Sequence, residues 1–190
     1  MTRYVPFVEG VTVSGKTVTI IAEAVQTFSV LRQWLLETLG VAAVDPERWY
    51  PQADILRTYD KVESLLGGRG LARLGKLVPA KAILPPGIHD AHSVLALLDA
   101  IYHLNHRLDG VGMFDPATGA MLEGIGHYHD QGQAGTRTAV MICDNPYPCR
   151  FDMGLFEGFV ARFESTVTVT HAPEGCRAHG DPRCTYHASW

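Results

Sequence analysis

The stretch CRFDMGLFEGFVARFESTVTVTHAPEGCRAHGDPRCTYHASW, residues 149–190, decides how the rest of the chain is read. It opens on Cys149, continues as a helix-like run over Phe151–Phe163 and a strand-like run near Thr166–Thr170, and ends on a second strand-like run over Cys184–Trp190. Between the two strands lies a loop carrying Cys176 and Cys184, with the turn signal Gly180-Asp181-Pro182 between them. That turn folds the loop back, so the two sulfurs can approach. Thiolates converging on one point indicate a soft-metal site. A thiol just ahead of a helix, as Cys149 is, has its thiolate favoured by the orphan N–H groups of the first turn. Cys143, at the end of an apolar strand, reads as a small core residue.

Working outward, Thr138–Cys143 and Ile125–Asp130 alternate like strands, and Asp115-Pro-Ala-Thr-Gly119 reads as a hairpin turn. Upstream the character is helical. Val25–Leu39 carries apolar residues at helical spacing with Gly40 at its stop, and Trp34 is expected in the core. Pro51–Leu66 predicts a second helix ending at Gly67-Gly68, followed by a short helical run over Gly70–Val78 that stops at Pro79. Leu84–Ile88 is a rigid link, after which Asp90 caps a third helix running to about Arg107. Val11–Ile21 predicts a strand or hairpin, and residues 1–10 form a poorly patterned lead-in. The expected architecture is α+β: a helical N-terminal half packed on an antiparallel sheet, with one crossing helix in the C-terminal half. With no repeat or linker, the 190 residues make one ligand-binding domain, residues 144–190 forming its Cys-rich tail.

The chain is 46% hydrophobic and 19% charged, enough for a real core. A net charge of −4 without a basic run argues against direct nucleic-acid binding. No apolar run reaches the ~18–20 residues of a membrane span. The start of the chain lacks a secretory pattern, so reduced thiols in the cytoplasm are expected. The motifs G-x-S-x-G, H-E-x-x-H, G-x-x-x-x-G-K-[ST] and G-x-G-x-x-G after a strand are absent.

Nine histidines is a high number. On a helix, His89, His92, His103 and His106 fall within a ~100° arc as two pairs ~20 Å apart, so one metal cannot use all four. His103 and His106 could face a ligand, a haem or a metal. His127 and His129 would share one strand face. With Tyr102 and Tyr128, His103 and His106 are the candidate ligand-binding residues of an apolar pocket between the third helix and the sheet.

The pattern Glu174-x-Cys176-x3-Gly180-Asp-Pro-Arg-Cys184-x-Tyr186, with Cys149 upstream, resembles the 4-vinyl-reductase-like domain. That module binds small molecules in bacterial and archaeal regulators, including phenol-responsive activators and a protein associated with bacteriochlorophyll synthesis. The resemblance covers Asp144–Trp190. It implies an α+β fold shared with haem nitric-oxide-binding domains and the Golgi-tethering Bet subunits, an apolar pocket, homodimers and a structural zinc. It carries Cys149, Cys176 and Cys184 over as thiolate ligands. The position three before Cys176, a Glu in phenol-sensing members, is Pro173 here, so the fourth ligand is open among Glu174, His171 and His179; Glu174 completes the expected set. The Tyr-x-Ser-x-Arg motif of the haem nitric-oxide sensors is absent.

The expected function is that of a sensor for a small apolar or aromatic molecule in a bacterial signalling or transcription-regulatory system, with a structural zinc. Its partners would be that molecule, a second copy and a downstream effector. The chain is either a stand-alone protein or the sensory part of a longer regulator. The alternatives are a haem-based gas or redox sensor using His103/His106 or the Cys143/Cys149 pair, a metal-dependent enzyme acting on a hydrophobic substrate, and a domain serving only assembly.

Overall fold

The structure, a computed structural model, describes residues 3–190; Met1 and Thr2 of the lead-in lie outside the described residues. The first strand, β1 (Val11–Ser14), stops where the Ser14 hydroxyl caps helix α1 (Gly15–Ala24) by accepting from the Lys16 N–H at 3.3 Å. The expected strand through Ile21 is therefore corrected: beyond Ser14 the Val- and Thr-rich run is helical. Val18 and Ile21 bury at i, i+3, and the Thr19 hydroxyl donates to the Gly15 carbonyl at 2.8 Å. Gly15 makes the corner possible, because a Cβ there would stand 2.3 Å from the Asp45 carbonyl oxygen.

Helix α2 (Ser29–Leu39) buries Leu31, Leu35 and Leu39 and ends on Gly40 at φ 64°. It starts at Ser29, later than expected, because Val25 terminates α1. Trp34 lies off that buried stripe. It is 36% exposed under the Lys61 ammonium, 4.8 Å from its ring, which corrects its expected core position.

Strand β2 (Trp49–Pro51) leads into α3 (Gln52–Lys81), broken at Gly67 (φ 65°, ψ −171°) where the sequence places the stop of the first of two helices. The third expected helix is two: α4 (Ala91–Ala96) and α5 (Leu98–Leu104), which meet at Leu97. Asp90 caps α4 in a reciprocal capping box with Ser93. Asn105 ends α5, its amide donating to the Ile101 carbonyl at 2.8 Å and its own carbonyl accepting from the Ser14 N–H at 2.9 Å. The chain then enters β3 (His106–Leu108) and β4 (Val111–Gly112), giving a first antiparallel sheet in the order β2-β1-β3-β4. This small sheet was not expected from the sequence. It also moves His106 off the helix and onto a strand, opposite Val13.

The Asp115–Gly119 turn closes with Gly119 at φ 73°. The second sheet contains β5 (Tyr128–Asp130), β6 (Thr138–Cys143), β7 (Thr168–His171) and β8 (Cys184–Ser189) in the antiparallel order β5-β6-β8-β7. Helix α6 (Cys149–Val160) crosses between β6 and β7 and packs on α3. The two backbones nearly touch: a Cβ on Gly154 would stand 2.0 Å from the Ala72 carbonyl oxygen, and one on Gly75 2.1 Å from that of Phe151. One continuous core results, centred on Tyr50, Tyr59, Phe156, Phe159 and Tyr186. The α+β class and the helical N-terminal half are as the sequence implies.

Candidate metal centre and interior cavity

The tail folds so that four donors meet. The first turn of α6 presents Cys149, the end of β7 presents His171, the loop after it Cys176, and the start of β8 Cys184. One donor atom from each lies within 4.8 Å of all the others. The Cys149 sulfur is 3.2 Å from that of Cys184 and 3.7 Å from that of Cys176. Sulfurs around a tetrahedral zinc at ~2.3 Å stand roughly 3.8 Å apart, so the spacing suits a single ion. His171 is oriented for the same role. Its Nδ1–H donates to the Ala172 carbonyl at 2.5 Å, which leaves the buried Nε2 without a hydrogen-bond partner. The residues present therefore fit a structural zinc. The donor gathered beside the three thiols is His171; Glu174 and His179 stand at exposed positions outside this group.

Arg177 ties this centre to the interior. Its backbone N–H and Nε donate to the Cys184 sulfur at 3.3 and 3.4 Å. Hydrogen bonding from Cys149, together with these donors, holds the Cys184 thiol well below the usual thiol range, while the same contact holds Cys149 above it. The Arg177 guanidinium pairs with buried Asp152 of α6, whose other oxygen accepts from the Tyr128 hydroxyl at 2.7 Å. Burial outweighs both contacts and pushes Asp152 up to about 6.

Tyr128 also lines an interior cavity of about 70 Å³ between α1, α3, α5 and α6. Tyr102, His106 and Tyr147 are on its wall. Their polar atoms are already spent on the protein. Tyr102 donates to the Ile125 carbonyl at 2.8 Å; His106 Nδ1–H donates to the Tyr102 carbonyl at 2.7 Å, and its Nε2 accepts from the Tyr147 hydroxyl at 2.8 Å. Burial drives His106 down to about 4, so it is a neutral imidazole. Of the four candidate ligand-binding residues, Tyr102, His106 and Tyr128 line this cavity. His103 does not; it packs beside Asp99 and His127. Tyr147, Asp152 and Arg177 were not singled out from the sequence, where nothing in their spacing marks them.

A haem, like any ring-sized ligand, would need this interior to open. The space is a fraction of the ~300 Å³ at the lower end of ligand pockets, and a porphyrin needs more than that lower end. The histidine on its wall, His106, has both ring nitrogens engaged.

No family model and no curated relative matches the chain. Solved structures do match. An H-NOX protein from Shewanella oneidensis in the Fe(II)NO ligation state superposes with a TM-score of 0.65 at 13% identity, covering 93% of this chain and 98% of that one. An oxygen-binding H-NOX domain related to soluble guanylate cyclases, in its oxygen complex, gives 0.58 at 15% identity over 90% and 91%. A structure described as modulating haem redox potential through protein-induced porphyrin distortion gives 0.63 at 15% identity over 93% and 99%. The architecture is thus that of the haem nitric-oxide/oxygen-binding fold. Among the described residues no helix is long and apolar enough to cross a membrane.

Proposed function

We propose that residues 1–190 form one small-molecule sensor domain of the 4-vinyl-reductase-like kind, built on the H-NOX fold. Zinc held by Cys149, His171, Cys176 and Cys184 would fix the tail, and a compact apolar or aromatic molecule would occupy the interior cavity. A second copy and a downstream effector would read its occupancy. The convergence of three thiols on the orphaned Nε2 of His171 carries this reading. The zinc supplies no step of chemistry here; it closes the tail loop, whose Arg177 reaches Asp152 and, through it, the cavity wall at Tyr128.

The cavity as folded admits only a few heavy atoms. A ring-sized ligand would enter by local opening between α1 and α5, where the Thr17 hydroxyl donates to the Asn105 side-chain oxygen at 3.0 Å. The test is metal content by mass spectrometry on untagged protein, followed by thermal-shift screening of small aromatic molecules. One zinc per chain and an upward shift with a bound aromatic is the expected result. A ligand at a hundred times its Kd adds about 2.7 kcal/mol.

The second reading is a haem-based gas sensor, and the comparisons favour it over the first, since the matching structures are haem domains. The engaged His106 and the small cavity weigh against it for this chain. Titration with haemin distinguishes the two. A Soret band saturating at one haem per chain, lost on His106→Ala or His103→Ala, would put this reading first.

A further inference from the structure

A second donor set, sharing no residue with the tail thiols, lies where α5 meets β5. Asp99, His103 and His127 bring a carboxylate and two imidazoles together, with donor atoms within 4.8 Å of one another. The hydrogen bonds around it do not balance. His127 Nδ1 is 2.9 Å from Asp99 Oδ2, and its Nε2 is 3.0 Å from Glu123 Oε2. A neutral imidazole has one N–H, so it can satisfy only one of these carboxylates. His103 is fully buried; its Nδ1–H donates to the Asp99 carbonyl at 2.9 Å, and its Nε2 lone pair has no partner. Asp144 adds negative charge alongside, accepting the His127 backbone N–H and lying 3.4 Å from His129 Nε2. The site has more acceptors than donors, and a cation is what would balance it.

We infer that Asp99, His103 and His127 form a second metal site, for a divalent transition ion that prefers nitrogen and oxygen donors, such as zinc, nickel or cobalt. Binding leaves the proton of His127 on Nε2, donated to Glu123, and frees Nδ1 to ligate beside Asp99 Oδ2. Asp99 Oδ1 stays on the Tyr128 N–H, 2.9 Å away, so the carboxylate is held in place before the ion arrives. The ion enters from an open groove of about 790 Å³ whose wall includes Glu123, His127 and Asp144.

The test titrates cobalt(II) into the chelator-stripped full chain. The tail site gives intense sulfur-to-cobalt charge transfer in the near ultraviolet. The second site adds only weak d–d bands, because it has no thiolate. Two equivalents are expected, the second lost in His127→Asn and in Asp99→Asn while the charge-transfer band stays. Should those variants fail to fold, paramagnetic broadening of the His103 and His127 ring signals in the unaltered protein gives the same answer. One equivalent only, carrying the charge-transfer band, a second that survives His127→Asn, or broadening confined to surface histidines such as His187 would overturn the site. In that case the cation at His127 is a proton, and its ring would titrate above the usual histidine range without responding to metal.

Discussion

Arg177 of the tail loop closes a buried ion pair with Asp152 of α6, a side chain with no exposure at all. The pair joins the loop between two candidate zinc ligands to the helix that begins with a third. Arg177 also donates to the Asn145 side-chain oxygen at 2.7 Å, so it braces the turn that leads into α6 as well. Removing one member of such a pair leaves the other buried and unpaired, which typically costs about 3–5 kcal/mol, a large fraction of the ~5–15 kcal/mol by which native domains are stable. Arg177→Met should therefore lower the denaturation free energy by roughly 3–5 kcal/mol in zinc-replete buffer. Adding Asp152→Asn should restore part of that, because the residual cost is the stranded carboxylate. A double variant as damaged as the sum of the two singles would show that the residues act independently.

The ligand set makes a second prediction. Cys184→Ser should abolish zinc binding, read as zinc per chain by mass spectrometry. His171→Ala should keep three thiolates and some zinc, but release it faster to a chelating dye. Glu174→Ala should match the unaltered protein in both rate and content, since Glu174 is exposed and outside the donor group. Fast release from Glu174→Ala with slow release from His171→Ala would restore the set expected from the sequence.

What was legible in the sequence was local. The Asp90 cap, the Asp115–Gly119 turn and the stop at Gly67 depend on residues within a few positions of one another, and each stands where the pattern puts it. Convergence of the tail sulfurs follows from the turn at Gly180-Asp181-Pro182; that His171 rather than Glu174 stands beside them depends on how β7 registers with β8, which no spacing records. The same holds for His106. On helical spacing it shares a face with His103, but Asn105 ends the helix through a contact with Ser14, ninety-odd residues away in the chain, and His106 pairs with Val13 instead. Val and Thr after Gly15 look like a strand by propensity alone; burial of Val18 and Ile21 on one helical face overrides it.

His106 supplies a pH prediction. Burial lowers it to about 4, against an ordinary histidine value near 6.5. Its unfolded form therefore binds a proton that the folded form refuses between those values. Stability from this group is fully present above pH 6.5 and is lost as the pH falls toward 4, by about 3 kcal/mol in all. His106→Gln has no such group. The stability difference between the unaltered protein and this variant should shrink by roughly 3 kcal/mol from pH 7 to pH 4, and comparing the two cancels effects of acid on the zinc ligands. A difference that does not change with pH would mean that the imidazole is already protonated in the fold.

The crossing of α3 and α6 makes the last prediction, and two opposing terms decide it. Alanine is favoured over glycine inside a helix by about 1 kcal/mol, so propensity alone would make Gly154→Ala stabilising. At Gly154, however, the new Cβ would lie 2.0 Å from the Ala72 carbonyl oxygen and 2.8 Å from the Ala72 carbonyl carbon, both backbone atoms that cannot turn aside. The helices must separate, and overpacking of this kind costs about 1–3 kcal/mol or more. Gly158→Ala meets the Lys76 carbonyl oxygen at 2.9 Å and should lose less. Gly112→Ala, on β4 with nothing closer than 3.9 Å, is the control and should stay near neutral. Urea midpoints should fall in the order Gly112→Ala, Gly158→Ala, Gly154→Ala, the last lowest. A Gly154→Ala midpoint equal to or above that of the unaltered protein would mean that the helices are held apart by more than their backbones allow here.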